Sequence, residues 1–301
     1  MNPVLMIFID GVGIGKKDFQ FNPFFKYGFK TFEQIFGEIP SLENQRLSKN
    51  GFYLFPVDAN LGIDGLPQSG TGQVSIFCGM NAPEFVGKHF GPFPYSTTIP
   101  VIKESNIFKS YIEKNKKAFF ANAYPQVFFD YLNSGKTRLN VTALSAKSSG
   151  IRLNDVNDVI NGSALTAEIT NERWNKNLNY KLEVISPEIA GERLINISLK
   201  NDFTLYEFFL TDHLGHGRIA DEFNQIYSNL DKFVFTILSK INSTDLTLLI
   251  CSDHGNIEDS SVKTHTNNPA LGISAGKQAE KFAEEIIDLT NIKPTILKYC
   301  L

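Results

Sequence analysis

In Leu246-Thr247-Leu248-Leu249-Ile250-Cys251-Ser252-Asp253-His254-Gly255-Asn256-Ile257-Glu258, a continuous apolar run of strand length breaks at once into a serine, a carboxylate and an imidazole. Unbroken apolar character, as opposed to alternation, is what a strand covered on both faces requires, as in a parallel sheet. The same grammar recurs upstream: Val4–Ile9 runs into Asp10-Gly11-Val12-Gly13, and residues 203–210 run into Thr211-Asp212. Shorter apolar runs occupy 118–121 and 271–274. Between them, 222–240 spaces Phe223, Ile226, Leu230, Phe233 and Ile237 at three- and four-residue intervals, and 278–289 does so with Phe282, Ile286 and Leu289. Both patterns predict amphipathic helices lying on a sheet. The expectation is an α/β fold, a doubly wound, mostly parallel sheet with helices on both faces, in one domain over residues 1–301. Residues 133–201, rich in Asn, Ser and Lys and weakly periodic, read as a loop-rich insertion.

Composition narrows the function. With 301 residues, 42% hydrophobic and 20% charged, the chain can bury a large core, which excludes a disordered or low-complexity role. Lys+Arg 29 against Asp+Glu 32 leaves a net charge of -3, so no global field draws in a polyanion and nucleic acid is not the expected partner. Cys78, Cys251 and Cys300 are too few and too scattered for a disulfide framework and suit a reducing compartment. The run Val4–Ile9 is short, lacks a basic leader and meets Asp10, so it reads neither as a signal peptide nor as a membrane span. A cytoplasmic protein with no membrane partner is expected. The cluster Phe19, Phe21, Phe24, Phe25, Tyr27 and Phe29 is compatible with a lid or a subunit contact.

In doubly wound sheets the site lies beyond the carboxyl ends of the strands. Asp10, Asp212 and Asp253-His254 all fall there. Of five histidines, His216 and His254 lie in or next to these strand ends, and His265 follows in a polar loop, Thr264 to Pro269. Asp212 and His216 are four apart, so on a helical turn they share a face and can hold one ion. Mixed carboxylate and imidazole donors suit Zn²⁺ or Mn²⁺ better than Ca²⁺. So much negative charge suits two ions, about 3.5–4 Å apart, clamping a displacement from both sides. A nucleophile is offered by Gln68-Ser69-Gly70-Thr71-Gly72-Gln73 before a helical stretch, where the hydroxyls of Ser69 and Thr71 sit near a helix N-terminus.

These residues resemble the alkaline phosphatase superfamily, and within it the cofactor-independent phosphoglycerate mutase and phosphopentomutase branch. Asp253-His254-Gly255-Asn256-Ile257-Glu258 resembles that branch's Asp-His-Gly-Asn-x-Glu signature, His265-Thr266-Asn267-Asn268-Pro269 its His-Thr-x-Asn-Pro, and Asp212-x-x-Gly215-His216 its Asp-x-x-Gly-His, in the family's order. Ile9 to Gly13 and Ile292 to Leu297 extend the likeness to nearly the whole chain. The resemblance implies one metal held by Asp10, Asp253, His254 and the nucleophile oxygen, and a second held by Asp212, His216 and His265. The mutases' Ser/Thr-x-x-Gly-His run corresponds to Ser69-Gly70-Thr71-Gly72-Gln73, which points to Ser69 as nucleophile, with Thr71 in reserve, and puts Gln73 where the family has His. Too little chain lies between Met80 and Ala118 for the mutases' cap domain. Lys88 and His89, in the short segment occupying that place, are candidate contacts to an anionic substrate together with Gln73.

The function so implied is two-metal phosphoryl transfer on a small phosphorylated substrate, with water as acceptor in the absence of a cap: a phosphatase or related ester hydrolase working through a phosphoserine. A phosphomutase is the alternative should 133–201 fold over the site. Sulfate, phosphonate or phosphodiester hydrolysis is another, and a noncatalytic metal or phosphate-binding module is the reading from outside enzymology.

Overall fold

The structure, a computed structural model, describes residues 3–301. Val4–Ile9 forms strand β1 with every side chain buried. Leu5, Ile7 and Ile9 enter one hydrophobic cluster, and Val4, Met6 and Phe8 enter a second on the opposite face. A strand feeding two cores has no side chain to spare for water, which is why the sequence there is apolar without a break. At about 1.5–3 kcal/mol for each large side chain withdrawn from water, this run anchors the middle of the molecule.

Leu47–Lys49 (β2), Phe52–Val57 (β3), Ala118–Phe120 (β4), Phe203–Phe208 (β5), Thr247–Cys251 (β6) and Ala270–Gly276 (β7) complete a seven-stranded sheet in the order β2-β3-β7-β6-β1-β5-β4. Strand β1 pairs in parallel with both β5 and β6, and β4 pairs in parallel with β5. The first cluster is covered by the helices Pro187–Ser198 and Phe223–Ile241. The second is covered by Ser69–Cys78, Ile107–Glu113 and Ile292–Cys300. The doubly wound α/β arrangement is therefore present.

Two strands depart from the parallel expectation, the edge strand β2, antiparallel to β3, and β7. Strand β7 runs antiparallel to β6, and β3 runs antiparallel to β7. For β7 the reason lies in the connection. The chain leaving β6 turns through the polar loop 252–269, closed by an antiparallel bridge between Gly255 and Thr266, and re-enters the sheet from the same edge. A parallel return would need a crossover along the sheet, usually helical. The helical pattern over 278–289 is also shorter than expected, ending at Glu285, because Ile286 is extended and Asp288 caps a new turn.

Residues 133–201 carry the helices Val141–Ser148, Val156–Ile160, Glu172–Leu178 and Pro187–Ser198. The last packs closely on Phe223–Ile241: a Cβ at Gly191 would lie 3.3 Å from the Phe233 carbonyl. Between Met80 and β4 the chain makes short helical segments only. The Phe-rich stretch divides. Phe24 and Phe29 are buried with Phe32 and Tyr227, whereas Phe19 and Tyr27 are exposed. Among the described residues no helix is long and apolar enough to cross a membrane.

Candidate active site

Register brings the strand ends together. Ile9 pairs with Phe208 and Phe8 with Cys251, so β1, β5 and β6 finish level. From that rim emerge Asp10, the short helix Leu210–Gly215 bearing Asp212, and Ser252-Asp253-His254. Gly11, at φ 71°, turns the first of these loops against the second; a Cβ there would meet the Asp212 Cα and Cβ at 3.1 Å.

The donor atoms gather in two adjoining groups. In one, the Asp212 Oδ1 lies 3.2 Å from His216 Nε2 and 3.3 Å from His265 Nε2, and the two imidazole nitrogens are 3.1 Å apart. In the other, His254 Nε2 lies 3.2 Å from Asp10 Oδ1, 3.6 Å from Asp253 Oδ2 and 3.0 Å from Ser69 Oγ. Ser69 Oγ is 3.4 Å from Asp10 Oδ1. His254 also stacks on His265, with ring centroids 3.7 Å apart, so the groups share a wall.

The donor set fits a cation at both places. His265 Nδ1 lies 2.6 Å from the Pro67 carbonyl and His216 Nδ1 2.7 Å from the Lys263 carbonyl. A carbonyl can only accept, so each Nδ1 carries hydrogen, and the neutral imidazole then turns its Nε2 lone pair to the group. Two lone pairs and a carboxylate oxygen, mutually about three ångströms apart, repel unless a positive charge sits among them. In the second group the buried Asp253 Oδ2 has no hydrogen-bond partner, an omission that costs about 1–3 kcal/mol for a polar atom left so.

Electrostatics agree. Burial, then the charge of Asp253, pushes the Asp10 carboxyl up to about 7. Burial raises Asp253 as well. For His254 burial opposes the charge, but the carboxylates of Asp253 and Asp10 prevail and raise it to about 10. These are the shifts of a dry, anionic site short of positive charge.

Ser69 is the first residue of the Ser69–Cys78 helix, so its oxygen stands at the positive end of the helix dipole. Thr71, the reserve hydroxyl, is turned elsewhere. Its Oγ1 accepts from the Phe90 amide at 3.1 Å and lies 3.4 Å from the Phe90 carbonyl. Gln73 is buried one turn beyond Ser69, with Oε1 unpartnered. Lys88 Nζ lies 5.9 Å from the Tyr95 ring centroid, and His89 Nε2 lies 3.2 Å from the Ile63 carbonyl. Neither has a hydrogen bond or ion pair to the donor groups among the described residues.

The bracing around these groups was not anticipated from sequence. Glu258 accepts the Gly13 and Asn256 amides through Oε2, at 2.9 and 2.7 Å, and Thr266 Oγ1 and Asn268 Nδ2 through Oε1, at 2.5 and 2.9 Å. It thereby ties the loop after β1 to both limbs of the loop after β6, the limb that carries Asn256 and the limb that carries His265. Asn256 Nδ2 donates to Asp212 Oδ1 at 2.7 Å. Both residues lie in the Asp253–Glu258 motif, but their roles need the fold to be seen. Arg218 Nη1, 3.7 Å from Asp212 Oδ2, adds a solvent-facing cation.

A Cβ at Gly215 would come 2.3 Å from Asn256 Oδ1. Gly215→Ala must therefore push Asn256 off Asp212. Such outer-shell losses reduce metal affinity by about 10- to 100-fold. Metal titration of the variant should show a weakening in that range with the fold intact, and unchanged affinity would mean the Asn256 bond is idle.

Glu207 carried a signal that could have been read: it is the one charge in the apolar run 203–208. Its carboxylate accepts Thr142 Oγ1 at 2.6 Å and Asn140 Nδ2 at 3.3 Å. Burial pushes it up to about 7 against an ordinary 4.5. A raised acid favours folding most below its unfolded pKa, and that contribution disappears as pH climbs through the folded value. The protein should lose on the order of 3 kcal/mol from this group between pH 4.5 and about 7. Glu207→Gln should flatten that part of the stability profile in denaturant melts; an unchanged slope would contradict the assignment.

Comparison with known proteins follows the same lines. Residues 2–301 match the family model of the Metalloenzyme superfamily. A 2,3-bisphosphoglycerate-independent phosphoglycerate mutase of Mycoplasmoides gallisepticum is 27% identical over 125 residues, 38% of this chain and 25% of that protein. The match thus spans about a quarter of that relative's length. The PH0037 protein of Pyrococcus horikoshii superposes with a TM-score of 0.53 at 15% identity, covering 99% of this chain and 96% of that one. A cold-active alkaline phosphatase from Shewanella sp. does so at 0.52 and 10% identity, covering 100% of each. At such identities the likeness is one of fold.

Proposed function

The chain belongs to the Metalloenzyme superfamily, and from that premise we propose that it is a two-metal phosphatase or related phosphate-ester hydrolase acting through a phosphoserine on Ser69. One observation carries the reading: the Ser69 hydroxyl lies 3.0 Å from His254 and 3.4 Å from Asp10, at a helix N-terminus, where carboxylate and imidazole donors crowd together.

Asp10, Asp253, His254 and Ser69 would hold one divalent ion, and Asp212, His216 and His265 the other, Mn²⁺ or Zn²⁺ suiting both sets. Such ions supply a lowered hydroxyl pKa and neutralisation of charge on phosphoryl oxygens. Ser69, its proton released to solvent, attacks phosphorus in line; the Oγ–P bond forms as the bond to the ester oxygen breaks, and the departing alkoxide takes a proton from water. The helix dipole favours the negative oxygen before attack and the phosphate afterwards. Water then attacks phosphorus, the Oγ–P bond breaks and Ser69 regains its proton. Only short helical segments lie between Met80 and β4, where the resemblance places the mutases' cap, and this supports water as acceptor. Free Cys78, Cys251 and Cys300 support a reducing, cytoplasmic setting.

The phosphoglycerate mutase likeness favours phosphomutase activity as the second reading, and labelled phosphate retained on product would establish it. The principal test is metal analysis of the purified protein, then a panel of phosphate esters with each metal restored. Two bound equivalents and release of inorganic phosphate are expected. Full metal loading with no ester turned over would reject the proposal.

A further inference from the structure

Beside the nucleophile helix lies a cavity of about 780 Å³ that the chemistry above leaves unassigned. It is lined by Phe90, Phe93 and Tyr95 from one segment and by Leu139 and Leu144 from another. Lys103, Arg138 and Lys147 also line it, and no Asp, Glu, Asn or Gln does. The Arg138 guanidinium sits 4.0 Å from the Phe93 ring centroid.

Both walls are rooted in the machinery already described. The Phe90 carbonyl accepts the Thr71 amide at 2.8 Å. A Cβ at Gly70, the neighbour of Ser69, would lie 2.2 Å from the Phe93 carbonyl, so only glycine lets this wall lie so close to the nucleophile. Across the cavity, Asn140 and Thr142 hang on Glu207 in β5, and the next residue of β5, Phe208, accepts the Asp10 amide at 2.9 Å.

We propose that this cavity receives the alcohol portion of the substrate, and that this portion is a flat apolar ring system bearing a further anionic group. The inference rests on the hydrolase reading for the phosphate end only. Half-buried aromatic faces favour a ring, by stacking and apolar contact. Three cations with no carboxylate among the lining residues favour an anion on that ring. A sugar would call for carboxylate and amide partners, and the lining supplies none.

The test uses the full-length, metal-loaded protein and (4-carboxybenzyl)phosphonate, whose P–C bond blocks turnover, with methylphosphonate as reference. Calorimetry should find the ring-bearing probe bound at least about tenfold more tightly. Arg138→Gln with Lys147→Gln, both exposed positions, should remove most of that preference, and Phe93→Leu part of it. In turnover, the ratio of kcat/KM for 4-carboxyphenyl phosphate to that for glycerol 1-phosphate should fall about tenfold from wild type to the double variant. Comparing ratios cancels the intrinsic reactivity of the two esters. Equal binding of the two phosphonates, or a preference that survives the variants, overturns the inference. Preferential binding without turnover of any ester would uphold the cavity and reject the hydrolase reading. Turnover without preference would do the reverse.

Discussion

Ser69→Ala should keep two equivalents of metal and lose turnover by about four orders of magnitude or more, the scale on which a nucleophile acts when its supporting groups remain. Of the donors around the first ion, Asp10, Asp253 and His254 are untouched by the change, and the second group does not include Ser69 at all. Acid quenching of wild type during turnover should trap a phosphorylated peptide containing Ser69, and the variant should show none. Thr71→Val is the matched control, because its hydroxyl is engaged with the Phe90 backbone and stands apart from the donor groups. Sustained turnover by the alanine variant would remove Ser69 from the mechanism.

Asp253→Asn should have opposite effects on the metal-free and metal-loaded protein. In the metal-free state Asp253 is a fully buried carboxylate with one oxygen unpartnered, and its charge helps push Asp10 upward. Asparagine keeps an acceptor for the Gly11 amide, 3.3 Å from Oδ1, while removing the charge. Asp10 and Asp253 share the single His254 cation, so deleting one carboxylate leaves a matched pair, and the metal-free variant should be more stable than wild type by about 1–3 kcal/mol. Under metal it should lose the stabilisation that binding gives wild type, and activity should fall at least about a hundredfold. Paired thermal melts in chelator and in Mn²⁺ or Zn²⁺ read both signs at once. A variant that melts lower in chelator and still gains fully from metal would show that Asp253 is a structural carboxylate.

Glu258 explains why part of the Asp253–Glu258 motif is needed at all. Four donors from two loops converge on one carboxylate, so the motif encodes a clamp as well as donors. Sequence spacing places Glu258 near Asp253 but cannot reveal Gly13 or Asn268 as its partners. The same holds for Glu207, whose partners Asn140 and Thr142 lie 67 and 65 residues away.

Unbroken apolar runs ending in Asp10, Asp212 and Asp253 were enough to imply a sheet covered on both sides and donors at its rim, because burial on two faces and the strand end are local properties that composition records directly. The direction of β7, the imidazole nitrogens turned inward by the Pro67 and Lys263 carbonyls, and a cavity walled by residues 90–96 and 138–148 left no such local trace. Each depends on atoms distant along the chain meeting in space, and a contact of that kind exists only once packing has chosen one arrangement of the whole.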